Sequence, residues 1–103
     1  MIVIAGNIEI DASSKDAANA AAIVMMRETA KEAGCALYRF AWDMEFPNRI
    51  IIVEEWASED ALKAHFASPH MAAFQKAMGG FKILGRSIKR YEVSSAAFCG
   101  NSP

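Results

Sequence analysis

The sequence predicts an α+β domain with a ferredoxin-like βαββαβ order, in which a four-stranded antiparallel sheet carries helices on one face. The first observation behind this prediction is the pattern of the apolar residues, which alternate in residues 2–10 and 35–44, form an isoleucine-dense run in residues 49–56 and follow helical spacing in residues 18–33. The second is the length of 103 residues, 53% of them hydrophobic, which suits one domain with its own core. We therefore expect a single domain over residues 1–103, in which residues 95–103 form a C-terminal tail.

The first strand is expected over residues 2–10. One of its faces is strongly apolar and carries Ile2, Ile4, Ile8 and Ile10. Asn7 has the opposite parity and therefore belongs to the other face of the strand. It is either an ordinary strand residue whose amide bonds locally or a polar anchor for a ligand.

A long helix is expected from about Lys15 to Ala33. Alanine and methionine dominate this stretch, no proline interrupts it, and Gly34 is well placed to end it. The residues at helical spacing that form its buried stripe are Ala18, Ala21, Ala22, Met25, Thr29 and Ala33. Small residues in this stripe let the helix lie close to a sheet.

The second strand is expected from Cys35 to Met44. Tyr38, Phe40 and Trp42 share one of its faces and form an aromatic wall. This wall serves core packing or a subunit interface, or it is a surface on which a ligand stacks.

A turn at residues 45–48 connects the second strand to a third strand over residues 49–56, so the two form a hairpin. The third strand is dense in isoleucine. This composition predicts a central strand that is buried on both faces.

Two short helices follow, at residues 58–67 and 69–78. Ser58 and Ser68 can cap them, because a serine oxygen accepts the free N–H groups of a first helical turn, and Pro69 suits the first helical position. A last strand, from about residue 82 to residue 94, contains four basic residues, as edge strands often do.

Charge and composition limit the partners that we expect. Lys and Arg total 11 against 12 for Asp and Glu, so the net charge is −1, and no basic tract occurs. Nucleic acids and anionic membrane surfaces are therefore not expected partners.

No apolar run could span a bilayer and the first residues lack a secretory signal, so we expect a cytoplasmic protein. The high hydrophobic fraction favours a homodimer in which the uncovered sheet faces pack together.

The stretch from Glu54 to Phe74 holds the most distinctive side chains. Trp56 ends the third strand and offers a flat wall with one N–H donor. Glu54 lies two positions earlier and therefore on the same face of the strand, where it either orients a histidine or pairs with a basic residue. His65 lies on the apolar face of the first short helix, where it is either a satisfied core residue or a base. His70 lies in the first turn of the next helix, whose dipole favours a neutral ring, and is either a surface residue or a proton acceptor. Trp56 and His65 together suit a planar, ionisable aromatic ligand.

Several signatures of cofactor and nucleophile sites are absent from the sequence. It contains no G-x-G-x-x-G motif, no P-loop and no nucleophile elbow. Cys35 and Cys99 lack the spacing of a zinc site, so we expect two reduced thiols. The two histidines are five positions apart with Pro69 between them, so they do not form a zinc site on one helix. From these absences we expect no nucleotide cofactor and no metal site.

Three short motifs lie close together in this region. They are Glu54-Glu55-Trp56, Ala64-His65 and Ser68-Pro69-His70-Met71, with Leu62 and Phe74 nearby. In these motifs the chain resembles the antibiotic biosynthesis monooxygenase family, in particular its quinol monooxygenase-like branch. The resemblance covers nearly the whole chain and implies a dimeric α+β barrel, a homodimer with a cavity between helices and sheet in each subunit. It also implies oxidation of a polycyclic phenol, an anthrone or a quinol by dioxygen, without flavin or metal.

The resemblance also implies roles for individual residues toward a small aromatic substrate. Trp56 would be a cavity wall and an orienting donor, His65 a base or hydrogen-bond partner, and Asn7 a polar anchor. Further candidates for substrate binding are Tyr38, His70, Phe74, Glu54 and Phe66. We expect Asn7 and the aromatic second strand to close the cavity, with His65 more central than His70.

Two other functions remain open at this point. The haem-degrading branch of the same superfamily has an asparagine where Asn7 stands, but the tryptophan and histidine that it needs align with His65 and Gln75, which argues against haem. The second alternative is a non-catalytic binder or sensor of a small ligand on the same barrel. Oxygen uptake with a panel of quinols, together with a haem titration, separates these functions.

Overall fold

The computed structural model describes residues 1–100, so residues 101–103 of the expected tail lie outside the described residues. Four strands and three α-helices follow one another in the order β1, α1, β2, β3, α2, α3, β4. Their bounds are Ile2–Ile10 (β1), Lys15–Thr29 (α1), Cys35–Trp42 (β2), Arg49–Trp56 (β3), Glu59–Phe66 (α2), Pro69–Met78 (α3) and Ile83–Glu92 (β4). None of the helices within residues 1–100 is long and apolar enough to cross a membrane.

The strands form one antiparallel sheet in the order β2-β3-β1-β4. Strand β3 is central, and β4 lies at an edge, as predicted. The register places Ile2 opposite Trp56 and Ile8 opposite Ile50, so the isoleucine face of β1 and the Trp56 face of β3 are one face of the sheet. The predicted ferredoxin-like α+β fold is therefore confirmed.

This face packs against the helices and forms the core, which consists of two clusters. The first cluster lies at the Trp56 end and comprises Ile2, Met25, Tyr38, Trp56 and Leu62. The second comprises Ile8, Ile10, Ala18, Ile50 and Ile52. Phe40 packs against both clusters, so the aromatic wall of β2 runs along the core from one to the other.

Helix α1 is shorter than predicted, because it ends at Thr29 and not at Ala33. The chain then turns, and the N–H of Glu32 donates to the carbonyl of Thr29 at 3.0 Å. Gly34 has φ of +82°, a left-handed conformation that favours glycine, so it completes the turn before β2 instead of ending the helix. The stripe members that are buried are Ala18, Ala22, Met25 and Thr29, whereas Ala33 is exposed.

Strand β2 also ends earlier than predicted, at Trp42 instead of Met44. The Asp43 carboxylate accepts the backbone N–H groups of Glu45 at 2.7 Å and of Phe46 at 3.2 Å. An aspartate that bonds its own following backbone starts a turn, and this ends the strand.

Strand β3 is buried on one face only, although the sequence predicted burial on both. On its second face Ile51 is 37% exposed. The register places Asn7 and Ala41 on either side of Ile51, and these three residues define what we call the open face of the sheet. The prediction of two buried faces is therefore wrong for a single chain.

Candidate functional site

Two buried aromatic residues, Trp56 and His65, meet at one end of the core. Trp56 is 0% exposed and ends β3, and His65 is 1% exposed and lies in the last turn of α2. Ser58 fixes the start of α2 by accepting the N–H of Ala61 at 3.1 Å. Leu62 and His65 lie three positions apart in α2 and are both buried, so they share the face that packs on the sheet.

A tight corner joins α2 to α3. Ala67 and Ser68 alone separate the two helices. The Ser68 hydroxyl donates to the carbonyl of His65 at 2.7 Å and accepts the N–H of Met71 at 3.2 Å. This one side chain therefore caps α3 and ties it to the end of α2, which fixes His70, the second residue of α3, relative to His65.

Both histidines bind the same carboxylate oxygen. The Oε2 atom of Glu32 lies 2.6 Å from His65 Nδ1 and 2.9 Å from His70 Nε2. An ionised carboxylate only accepts hydrogen bonds, so each of these two nitrogens carries the hydrogen. In the neutral ring of His65 the second nitrogen, Nε2, is then the basic one. Nε2 is buried and has no hydrogen-bond partner among residues 1–100.

Glu32 is the residue of this site that sequence reasoning missed. It was placed inside the predicted long helix, but the helix ends at Thr29 and the following turn directs the carboxylate of Glu32 toward α2 and α3. The available sequence signal is the glycine at position 34, but a left-handed glycine also ends many helices, so the sequence alone did not place the turn at residues 30–34.

Glu54 does not orient a histidine, contrary to one of the predicted alternatives. Its Oε1 atom accepts the Nε1–H of Trp56 at 2.9 Å, and the carboxyl group is buried. Burial raises the pKa of Glu54, while the hydrogen bond from Trp56 and the nearby His65 oppose this shift. Because Glu54 takes the indole N–H, Trp56 provides a wall but not a free donor, and its predicted role as orienting donor is wrong in this conformation.

Aromatic rings enclose His65. The ring centroid of Trp56 lies 4.7 Å from that of His65, and the ring of Tyr38 lies 5.2 Å away. Burial raises the pKa of the Tyr38 hydroxyl above its usual range, so the phenol stays protonated. Phe66 is also near, at 5.8 Å from His65, but it is 54% exposed and covers the outside of the corner.

An apolar cavity lies between the sheet and helices α1 and α3, within the second core cluster. Phe40 and Phe74 line it together with aliphatic residues, among them Ile8, Ile52 and Met78, and the rings of Phe40 and Phe74 lie 5.8 Å apart. Its volume is about 40 Å³, well below the roughly 300–1,000 Å³ of ligand pockets. Neither His65 nor Trp56 lines it, so the substrate cavity expected between them is closed in this conformation.

His70 and Phe74 also line a shallow groove on the surface between α1 and α3, in which Val24 is exposed.

The structure brings together most of the predicted site residues. The set that meets around the Glu32 carboxylate and the Trp56 indole comprises Trp56, Glu54, Tyr38, His65 and His70. Phe74 lies one step away, through Phe40.

Asn7 does not join this set. It pairs with Ile51 across β3 and so lies on the open face, whereas Trp56 pairs with Ile2 on the helix-covered face. The expectation that Asn7 closes the same cavity is therefore wrong, because successive residues of a strand point to opposite faces of the sheet.

Comparison of the chain with models of known protein families identifies one family. The profile of the family described as "Antibiotic biosynthesis monooxygenase" matches residues 1–77. An uncharacterised protein of Synechocystis is 28% identical over 93 residues, which are 90% of this chain and 63% of that protein, so the chain spans less than two thirds of this curated relative.

Two solved structures illustrate the similarity of fold. A protein of Deinococcus radiodurans, described as a candidate antibiotic biosynthesis monooxygenase, superposes with a TM-score of 0.88 at 23% identity over 98% of this chain and 100% of its own. A conserved protein of Bacteroides thetaiotaomicron, described as a possible oxidoreductase, has a TM-score of 0.80 at 20% identity over 89% of this chain and 96% of its own. At these identities the two likenesses show the fold.

Proposed function

The chain belongs to the antibiotic biosynthesis monooxygenase family, and on this premise we propose that it is a cofactor-independent monooxygenase that oxidises an anthrone, a quinol or a related electron-rich phenol with dioxygen. The observation that carries the proposal is the pairing of His65 with Glu32 at 2.6 Å. A carboxylate on Nδ1 fixes the tautomer that leaves Nε2 as a base, as in other carboxylate–histidine pairs.

The chemistry that the site supports begins with a proton transfer. His65 Nε2 takes a proton from the substrate, and the carbanion or phenolate reduces dioxygen and forms a carbon–oxygen bond with it, which gives a peroxide. The proton on His65 passes to the peroxide, and loss of a second substrate proton then breaks the O–O bond and releases hydroxide, which is protonated to water. For an anthrone, the sum is anthrone plus dioxygen to anthraquinone plus water.

The remaining residues shape the site. Glu32 holds the His65 ring and stabilises its positive charge after proton transfer. Trp56 and Tyr38, with rings 4.7 Å and 5.2 Å from His65, present apolar faces on which an aromatic substrate can stack. Because His65 is 1% exposed, the reaction includes an opening step in which the α2–α3 corner moves to admit the substrate.

A homodimer is part of this proposal. The open face exposes Ile51, and an apolar sheet face without a helix over it favours packing against the same face of a second chain. In such a dimer Asn7 would lie in the interface and not at the base.

The second candidate function is a non-catalytic binder of a small ligand. It is favoured by the small volume of the apolar cavity, about 40 Å³, and by the complete burial of His65. A site that opens only to bind an apolar ligand has no need for the Glu32–His65 pair, and that pair makes the enzyme the better supported function.

The test is oxygen uptake with a panel of anthrones and hydroquinones in the presence of a chelator, with a haem titration in parallel. We expect His65→Gln to lower kcat by a factor of about 10² to 10⁴, the usual contribution of a general base, and Glu32→Gln to lower it less. Glu28→Gln is the matched control, because Glu28 lies about one turn before Glu32 and its one ion pair within residues 1–100 is with exposed Lys31. Wild-type rates in both His65→Gln and Trp56→Phe would sink the proposal, and tight ligand binding without oxygen uptake would favour the binder.

A further inference from the structure

The three side chains around Glu32 have the composition of a metal site. His65 Nδ1, His70 Nε2 and a Glu32 oxygen all lie within 4.8 Å of one another. Two imidazoles and one carboxylate are the ligand set of several catalytic zinc and non-haem iron sites. The proposed oxygenase reaction uses His65 and Glu32 but gives no role to His70.

The protein backbone holds these ligands in position. Glu32 is fixed by a turn in which its N–H donates to Thr29 at 3.0 Å and its carbonyl accepts the N–H of Cys35 at 3.4 Å. The histidines are fixed relative to each other by Ser68, whose hydroxyl bonds the ends of both helices. Ligands that are already ordered lose little entropy when an ion binds, which favours affinity.

The charge at the cluster also suits a cation. Among residues 1–100, no lysine or arginine lies within ion-pair distance of the Glu32 carboxylate, which contacts only the two histidines. Two neutral imidazoles and one carboxylate sum to −1, which a divalent ion changes to +1. The side chains of Glu32 and His70 are 15% and 17% exposed, so the ion has a path from solvent and a position for a water ligand.

The spacing of the ligand atoms requires a small adjustment. In a tetrahedral zinc site with bonds of about 2.0–2.1 Å, neighbouring ligand atoms are about 3.3 Å apart. The two distances here are 2.6 Å and 2.9 Å, because hydrogens now join the atoms. Opening the cluster by about half an ångström is within reach of the partly exposed side chains of Glu32 and His70.

We propose that Glu32, His65 and His70 bind a divalent transition-metal ion of the zinc class, and that this ion takes the place of the two hydrogens that now join the histidines to the carboxylate. One consequence rests on the proposed function. When an ion occupies Nδ1 of His65, the hydrogen of the neutral ring is on Nε2, so the ring no longer offers a base to the substrate. The ion is then an inhibitor of the reaction and not its cofactor.

Binding is tested first, without substrate. Metal-free protein competes with a chromophoric chelator for Zn²⁺ at neutral pH, and we expect one ion per chain. Glu32→Gln and His70→Ala should each weaken binding at least about tenfold, since even the loss of an outer-shell partner costs 10–100-fold. Glu28→Gln is the control for charge, and circular dichroism shows whether each variant is folded.

The outcomes are distinct. Absence of binding at 100-fold excess of zinc over protein, or binding that both substitutions leave unchanged, overturns the proposed site. The absorption of Co²⁺ bound in place of zinc gives a second readout, and a tetrahedral spectrum that His70→Ala abolishes supports the site. If zinc binds and oxygen uptake continues unchanged at saturation, the inhibition is refuted. If zinc binds and no substrate is ever oxidised, the site stands and the proposed function fails.

Discussion

Replacing Glu32 with glutamine tests whether its carboxylate holds the α2–α3 corner in place. The substitution keeps the shape of the side chain and removes its charge. In the wild-type protein one oxygen accepts two charge-assisted hydrogen bonds, from His65 at 2.6 Å and from His70 at 2.9 Å. In the variant both bonds become neutral ones.

The magnitude follows from the difference between the two kinds of bond. Hydrogen bonds to charged groups contribute about 1.5–3 kcal/mol and neutral ones about 0.5–1.5 kcal/mol, so each bond loses about 1 kcal/mol. Two bonds give a loss of about 2 kcal/mol in the free energy of unfolding. With an unfolding entropy of about 2.1 cal/mol/K per residue, this lowers the Tm of a chain of this length by about 9 °C.

The assay is thermal unfolding followed by circular dichroism at pH 7.5 and one fixed protein concentration, since an oligomer would make Tm depend on concentration. Glu28→Gln is the matched control, because the Glu28–Lys31 pair is exposed and such pairs contribute about 0–1 kcal/mol. We expect the control to shift Tm by no more than about 5 °C. Equal shifts in the two variants would mean that the shared oxygen does not stabilise the corner.

Three further substitutions test other parts of the site. Gly34→Ala should destabilise the protein by more than about 2 kcal/mol in urea unfolding, because φ is +82° and the added Cβ would lie 2.6 Å from that of Ala61. Adding Ala61→Gly should recover part of the lost stability, and no recovery would refute the clash between the two Cβ atoms. Glu54→Gln should raise Tm at pH 7, because burial raises the pKa of Glu54 and the ionised carboxylate therefore destabilises the fold once the pH exceeds that pKa. The Tm difference between the variant and the wild type should vanish toward pH 4, where Glu54 is neutral, and a difference that grows on acidification would refute this explanation. Ser68→Ala should lower the free energy of unfolding by about 1 kcal/mol, because it removes the cap of α3. A loss no larger than that of the exposed control Ser95→Ala would show that Ser68 does not stabilise the α2–α3 corner.

The elements of the fold were predictable because their signals are local. The period-two pattern of β1, the isoleucine run of β3 and the serine caps at Ser58 and Ser68 each depend on a few adjacent residues, and the strands and caps that they predict were confirmed, although β3 is buried on one face only. The end of α1 was not, since alanine and lysine after Thr29 favour a helix and only the tertiary position of Gly34 decides otherwise.

The composition of the site was less predictable for the same reason. The partner of His65 is Glu32, which lies 33 positions away in the sequence, and no local pattern connects a turn after α1 to the end of α2. Asn7 shows the opposite case. Its strand parity already separated it from the isoleucine face, and the role implied by the family resemblance did not take that parity into account.

The two-residue connection between α2 and α3 has a consequence for how this region can vary. A helix advances about 100° per residue, so one residue inserted at Ala67 or Ser68 would change the direction in which His70 leaves α3 by about a quarter turn. The Glu32 oxygen would then accept a hydrogen bond from one histidine instead of two. Surface connections commonly accept insertions, but the length of this one determines how α3 is rotated about its own axis. The cluster therefore depends on the length of the connection as well as on its three side chains.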